Sequence, residues 1–304
     1  MILGSWGDVA VQKGLEVIEG TISTLGEGPV WLAAEKTFYW VDIIEKQIRF
    51  YKPETNEQWT IQAEQYVGAA VPAGQGRLLC ALKDGFYFLD VVSGKFEKIV
   101  NPEEQLANNR FNDGKCDRSG RFWAGSMSLQ GEEGTGALYS LESDGTVRKV
   151  LTDINCSNGL GWSLDDSEMY YIDTNSAREV QRFSYNPATG AIADKKIIVK
   201  LSEGQGYPDG MTVDAEGMIW VAHWEGNCVT RWNPNTGEQI DQINLPVSQV
   251  TSCCFGGEQL DELYITSARE GLSEEQLREE PLAGSCFRYK PGVKGLPVNE
   301  YKSI

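Results

Sequence analysis

One unit recurs six times along the chain, and this repeat constrains the fold more than any other feature of the sequence. A polar residue or a glycine begins each copy, and in four copies an aromatic-rich segment follows about eleven residues later. The starting residues, which we call the head positions, are Glu27, Gly68, Asn112, Asn158, Asp209 and Thr251. By subtraction, successive heads lie 41, 44, 46, 51 and 42 residues apart. A period of roughly 40 to 50 residues built from short strands is typical of a β-propeller. We therefore predict an all-β, six-bladed propeller with four-stranded blades.

Turn sequences rich in Gly, Asn, Asp and Pro separate the predicted strands. For example, Ser143-Asp-Gly145 joins the predicted strands 137–141 and 146–150. One short helix is predicted over 273–278, where a serine precedes two glutamates. An open ring of blades would leave unpaired strand edges, so we expect residues 14–18 to pair with the last strands of the chain. No linker divides the sequence, and residues 1–304 are predicted to form one domain.

The charge and the cysteines exclude several classes of function. The chain has 44 acidic and 27 basic residues, a formal charge of −17, which repels nucleic acid. No run approaches the roughly 18 apolar residues of a membrane span, and the first thirty residues lack the apolar core of a signal peptide. The seven cysteines are scattered, with Cys253 beside Cys254, which indicates reduced thiols. We expect a cytoplasmic protein with no membrane or nucleic-acid partner.

Three head positions carry side-chain oxygens that could bind a cation: Glu27, Asn158 and Asp209. The innermost strands of a propeller surround its channel, so equivalent residues of different blades converge at the channel mouth. Two carboxylates in one pocket repel each other unless a cation neutralises them. Oxygen ligands suit Ca²⁺, Mg²⁺ or Mn²⁺, and three of them leave positions for water and substrate. Taken singly, Asn158-Gly159 and Asp209-Gly210 are ordinary turn signals, and only their shared repeat position favours a metal site in the channel.

For two other polar residues, His223 and Lys115, a structural role is favoured over a catalytic one. His223 is the only histidine and follows the predicted strand 219–222, where a packed or solvent-facing ring is the favoured interpretation. A serine triad is not supported, because the chain has no Gly-x-Ser-x-Gly sequence and its one histidine is interpreted as packed or solvent-facing. Lys115 is interpreted as a structural or exposed lysine.

Several motifs together resemble the senescence marker protein, regucalcin and gluconolactonase family, which includes insect luciferin-regenerating enzyme. The matching segments are Gly26–Trp31, Asn108–Lys115, Ser157–Leu160, Tyr207–Gly210, Thr251–Gly257 and Leu263–Arg269. The resemblance runs from about residue 25 to the end of the chain. It implies a six-bladed propeller, one divalent cation in the channel (calcium, zinc, magnesium or manganese) and hydrolysis of a sugar lactone to its aldonic acid.

Position by position, the resemblance implies roles for individual residues. The metal ligands would be Glu27, Asn158 and Asp209, and the substrate-binding residues would be Arg110, Asn112 and Asp113. We also assign Asp209 as the catalytic base that accepts a proton from the attacking water. One departure concerns Gln130, which stands where several animal members have a substrate-contacting acid, so a preference for one sugar does not transfer.

The sequence leaves other functions open. The same pocket could hydrolyse aryl esters or phosphotriesters, or the protein could be a calcium-responsive regulator or an interaction scaffold without catalysis. A role with luciferin-type products is suggested only by the insect relatives. A lactonase is favoured because ligand-type and substrate-type residues occur together. We expect a small-molecule sugar lactone as partner and a monomer or weak homodimer.

Overall fold

The computed structural model describes residues 12–175 and 177–303. Their strands form six antiparallel sheets of four strands each, so the prediction of an all-β, six-bladed propeller is confirmed. The first three blades contain β2 (Gly26–Leu32), β3 (Thr37–Asp42), β4 (Gln47–Lys52), β5 (Glu57–Gln62), β6 (Val67–Pro72), β7 (Arg77–Leu82), β8 (Gly85–Asp90), β9 (Lys95–Val100), β10 (Asn109–Cys116), β11 (Phe122–Ser128), β12 (Gly136–Leu141) and β13 (Val147–Ile154). The other three contain β14 (Ser157–Trp162), β15 (Glu168–Asp173), β16 (Glu179–Asn186), β17 (Ala191–Lys200), β18 (Tyr207–Val213), β19 (Ile219–Trp224), β20 (Cys228–Asn233), β21 (Glu238–Asn244), β22 (Val250–Gly256), β23 (Glu262–Ser267), β24 (Cys286–Tyr289) and β1 (Glu16–Ile18).

The outermost strand of each blade is its most exposed strand. In the first blade β3 is buried along its whole length, whereas β5 has only exposed and half-buried residues. The inner strands, one from each blade, contact each other in chain order around the axis: β2, β6, β10, β14, β18 and β22. A strand that is covered on both faces needs apolar or aromatic residues throughout, which explains the aromatic segments of the repeat.

In two blades, a buried tryptophan of the second strand donates its indole N–H to an aspartate. Trp123 Nε1 donates to Asp117 Oδ2 over 2.9 Å, and Trp220 Nε1 donates to Asp214 Oδ2 over 2.9 Å. Both tryptophans are fully buried, and a buried N–H without an acceptor would be unfavourable. In these two blades the repeated unit therefore includes the same hydrogen bond as well as the same buried hydrophobic strand.

A β-bulge interrupts every inner strand at its head position. The register of the inner strand with its neighbour shifts at Glu27/Val30, Val67/Ala69, Phe111/Gly114, Asn158/Leu160, Pro208/Met211 and Val250/Ser252. Bulges change the direction of a side chain and are frequent beside active sites. Asn158-Gly159 and Asp209-Gly210 consequently lie inside strands and not in turns.

The N-terminal strand closes the ring, as predicted. β1 pairs antiparallel with β24, with Val17 opposite Phe287, and completes the sixth blade as its outermost strand. The helix α1 (Glu274–Glu279) is also confirmed, and its N-cap Ser273 forms a capping box with Gln276. No helix of the described ranges is long and apolar enough to span a membrane. Residues 1–11, part of the segment expected to lack a signal peptide, lie outside the described residues.

The last residues of the chain, which we call the C-terminal strap (residues 293–302), cross one end of the channel. Gly295 N donates to Leu260 O in the sixth blade over 2.7 Å, and Tyr301 N donates to Pro72 O in the second blade over 2.8 Å. Between these anchors, residues 296–299 help to line a cavity of about 120 Å³ together with all six inner strands. That cavity lies beyond the head positions, so the strap covers the channel at the end opposite them.

We predict that the strap stabilises the ring. Tyr301 is buried against the core between the second and third blades, and its hydroxyl donates to Glu142 O over 2.7 Å. Tyr301→Ala should lower the free energy of unfolding by about 3 kcal/mol, because a large buried side chain is lost. Tyr301→Phe, the matched control, should cost only about 1 kcal/mol for the hydrogen bond. Urea unfolding of both variants would contradict this role if the alanine variant were as stable as the phenylalanine variant.

Candidate metal centre

Four head positions from four blades meet at one end of the channel. Asn112 Nδ2 donates to Asn158 Oδ1 over 2.9 Å, and the carboxyl groups of Glu27 and Asp209 lie close enough that each affects the pKa of the other. The blades are close enough here that a Cβ added at Gly159 would lie 2.8 Å from Asp209 O. Thus the structure brings together the three residues predicted as metal ligands and one predicted substrate residue.

Hydrogen bonds to the next residues of its own strand hold the Arg110 side chain beside this cluster. Its Nη1 donates to Asn112 Oδ1 over 2.6 Å and to Phe111 O over 3.0 Å, rather than to a carboxylate. Burial lowers the pKa of Arg110, although the nearby charge of Glu27 opposes this effect. Since a guanidinium has five N–H donors, Arg110 retains donors for a ligand oxygen.

The two carboxyl groups are strongly perturbed by their environment. Burial, together with the charge of Asp113, raises the pKa of Glu27 to about 8. Burial also raises the pKa of Asp209 well above its usual value, with the charge of Glu27 as the next cause. Two carboxylates buried together repel each other, as the effect of the Glu27 charge on Asp209 indicates. A divalent cation bound between them would neutralise this repulsion.

The donor set fits a divalent cation of the calcium or magnesium type. The Oδ1 atom of Asp209 is buried and has no hydrogen-bond partner, which is costly unless something else contacts it. The described residues contain no group of three His, Cys, Asp or Glu side chains placed to hold a metal, so the set depends on the amide oxygen of Asn158. Two carboxylates and one amide give oxygen ligands only, as these cations prefer.

Asp113 lies between this cluster and the cavity beyond it. Its charge acts on Glu27, which places it near the carboxyl pair, and burial raises the pKa of Asp113 itself. Its Oδ1 accepts from Gly114 N over 2.7 Å, and the residue lines the cavity next to the strap together with Lys115. The role of Asp113 in substrate binding stays a prediction.

The remaining sequence candidates lie apart from the cluster. Gln130 is exposed and its backbone N–H donates to Ser128 Oγ. Lys115 Nζ donates to Met211 O over 2.6 Å, a contact that ties two inner strands together and supports the structural interpretation. His223 is fully buried within the fifth blade, as expected for a packed histidine.

Two residues that contact the cluster are absent from the sequence-based site. Cys156 Sγ lies 3.6 Å from the amide nitrogens of both Asn112 and Asn158. Thr174 Oγ1 accepts from Asn158 Nδ2 over 2.8 Å. The repeat does contain a signal for Thr174. In the fourth blade Thr174 follows Asp173 at the end of β15, whereas in the first blade the apolar Ile43 follows Asp42 at the end of β3.

Comparisons with known proteins agree with this architecture. A model of the family described as the SMP-30/Gluconolactonase/LRE-like region matches residues 25–269. A Bacillus subtilis (strain 168) protein named "Putative sugar lactone lactonase YvrE" is 38% identical over 267 residues, which cover 88% of this chain and 91% of the relative.

Two solved structures are similar over nearly the whole chain. A luciferin-regenerating enzyme superposes with a TM-score of 0.89 at 35% identity and covers 95% of this chain and 99% of its own. A calcium-binding protein, regucalcin, from Agrobacterium tumefaciens str. C58 has a TM-score of 0.90 at 28% identity and covers 96% and 99%. The similarity therefore extends over all six blades and not only over the head positions.

The surroundings of His223 predict the pH dependence of stability. Its Nδ1 lies 2.7 Å from Gln205 O, which can only accept, so Nδ1 carries the proton and Nε2 accepts from Thr230 Oγ1. Burial lowers the pKa of this ring in the folded protein, so the unfolded chain binds a proton first as the pH falls.

The contribution of His223 to stability should therefore be complete above about pH 6.5 and decline below it. Between pH 7.5 and 5.5 the wild type should lose up to about 1.4 kcal/mol more unfolding free energy than His223→Gln. Urea titrations at both pH values measure this difference, and parallel pH profiles would contradict a neutral buried ring.

Proposed function

Because the chain belongs to the SMP-30/gluconolactonase/LRE-like family, we propose that it is a divalent-cation-dependent lactonase that opens a sugar lactone to the aldonic acid. The observation that carries the proposal is the buried pair of Glu27 and Asp209, in which Asp209 Oδ1 has no partner. Such a pair is unfavourable in a protein interior unless it serves a ligand. Glu27, Asn158 and Asp209 would hold the cation, with calcium suggested by the Agrobacterium relative.

The protein side chains have distinct tasks in this reaction. A bound divalent cation supplies an electrophile for the lactone carbonyl and charge stabilisation for the tetrahedral oxyanion. Asp209 accepts a proton from the attacking water as the water oxygen bonds to the carbonyl carbon. The carbonyl carbon then releases the ring oxygen, and Asp209 returns the proton to that oxygen. Atoms balance, because one water is added across the ester bond.

Arg110 and Asn112 would orient the substrate. Their hydrogen bond of 2.6 Å holds both side chains in one arrangement at the channel mouth, so little freedom is lost when a lactone binds. The planar guanidinium suits a carbonyl or a pair of hydroxyl oxygens. These two residues distinguish the proposal from a calcium-binding protein without catalysis, which needs ligands for the ion but no donors beside it.

The alternative nucleophilic mechanism has no support in the described residues. The single histidine, His223, uses both ring nitrogens within the fifth blade and is not available to activate a serine. Direct attack by water on an activated ester is therefore the chemistry that the site favours.

We predict that removing either carboxylate charge abolishes activity without unfolding the protein. Glu27→Gln and Asp209→Asn should each lower kcat/KM for an aldonolactone by at least about a hundredfold, because the cation and the base depend on them. Both should weaken calcium binding in calorimetry. Glu203→Gln is the matched control, since it removes an exposed carboxylate. Wild-type activity of both site variants after chelator treatment would disprove the mechanism.

We predict a different pattern for Arg110. Arg110→Lys keeps the charge but loses the planar guanidinium, and should lower kcat/KM for sugar lactones about tenfold. Arg110→Met loses the charge as well and should lower kcat/KM about a hundredfold relative to wild type. Calcium affinity should change little in either variant. Exposed Arg278→Met serves as the control.

The candidate reactions can be separated by a substrate panel. The wild type and these Arg110 variants are assayed with five- and six-membered aldonolactones, aryl esters and phosphotriesters. If the wild type hydrolyses the esters and no lactone, the substrate class proposed above is wrong.

A further inference from the structure

Thr174 connects two blades at the metal centre. The residue follows β15 in the fourth blade, and its Oγ1 donates to Pro208 O in β18 of the fifth blade over 2.7 Å. The same oxygen accepts from Asn158 Nδ2 over 2.8 Å. Pro208 immediately precedes Asp209 in the chain. One hydroxyl therefore contacts one predicted cation ligand directly and the backbone next to another.

The hydrogen bond to Pro208 determines the direction of the second one. A carbonyl oxygen can only accept, so the single hydroxyl proton of Thr174 is committed to Pro208. The lone pairs of Oγ1 then face Asn158, and only the NH₂ end of the amide can satisfy them. The amide oxygen of Asn158 must therefore point away from Thr174.

A second contact agrees with this orientation. Asn112 Nδ2 donates to Asn158 Oδ1 over 2.9 Å, so that oxygen lies on the side of the head positions. The opposite orientation would place the NH₂ group of Asn158 against Asn112 Nδ2 and would turn its partial positive charge toward a cation. The O and N positions of an amide are assigned from such networks, and here both ends agree.

We propose that Thr174 is a positioning residue that keeps the Asn158 amide oxygen directed at the divalent cation and holds β18, which carries Asp209, at the distance the site needs. This inference rests on the proposed function in one respect: Glu27, Asn158 and Asp209 bind the cation. Partners of this kind, one contact behind the ligands, commonly change metal affinity ten- to a hundredfold when they are removed.

The experiment compares two substitutions in the full-length protein. Thr174→Val keeps the shape of the side chain and removes the hydroxyl, whereas Thr174→Ser keeps the hydroxyl and is the matched control. Calcium binding to chelator-stripped protein is measured by calorimetry. The dissociation constant should rise about tenfold or more for Thr174→Val and stay within about threefold of wild type for Thr174→Ser.

A second readout separates positioning from general stability. At saturating calcium, kcat of Thr174→Val should approach that of the wild type, while the calcium concentration for half-maximal activity rises with the dissociation constant. Unchanged calcium affinity in Thr174→Val, or an equal loss in Thr174→Ser, would overturn the inference.

The outcome also distinguishes this inference from the function proposed above. A wild type that binds calcium but hydrolyses no lactone would refute the lactonase and leave the role of Thr174 to be judged by affinity alone. A wild type that binds calcium, magnesium, manganese and zinc no more tightly than Glu27→Gln would refute both.

Discussion

Closure of the ring of blades is the constraint on which the rest of this structure depends. β1 pairs with β24, so the first and last described strands of the chain complete one sheet and the ring has no open gap. The closed ring presses the inner strands together around the axis. A Cβ at Gly68 would lie 2.3 Å from Asn112 O, which explains why the second blade has a glycine at its head position. The second blade therefore contributes space to the site and not a side chain.

Because the inner strands lie so close together, they bring into contact polar groups that a protein interior normally excludes. Glu27, Arg110, Asn112, Asn158 and Asp209 are each between 4 and 6% exposed. Several of them satisfy each other through hydrogen bonds, but the carboxyl pair keeps an unpartnered oxygen and a raised pKa. A core that served stability alone would replace such groups with apolar ones at little cost. Their concentration at one end of the channel, with apolar blades around them, is the physical basis for assigning function there.

Local sequence signals and tertiary context disagree at two points of this site. Asn-Gly and Asp-Gly usually mark tight turns, yet Asn158 and Asp209 belong to β14 and β18. Each strand has a bulge at this point, and the glycine admits a neighbouring inner strand, as the 2.8 Å approach of Asp209 O to a Cβ at Gly159 shows. The glycines are therefore explained by packing between blades and not by the direction of the chain.

The sequence by itself determined the number of blades, the strand that closes the ring and which repeat positions carry side-chain oxygens, because periodicity and residue type can be read along the chain. Only the tertiary structure decided which groups touch. The bond from Thr174 to Pro208, the contact of Cys156 with Asn112 and the crossing of the channel by the C-terminal strap join distant residues. No local pattern encodes these contacts, since each depends on the distance between blades, which is set only when all six pack around one axis.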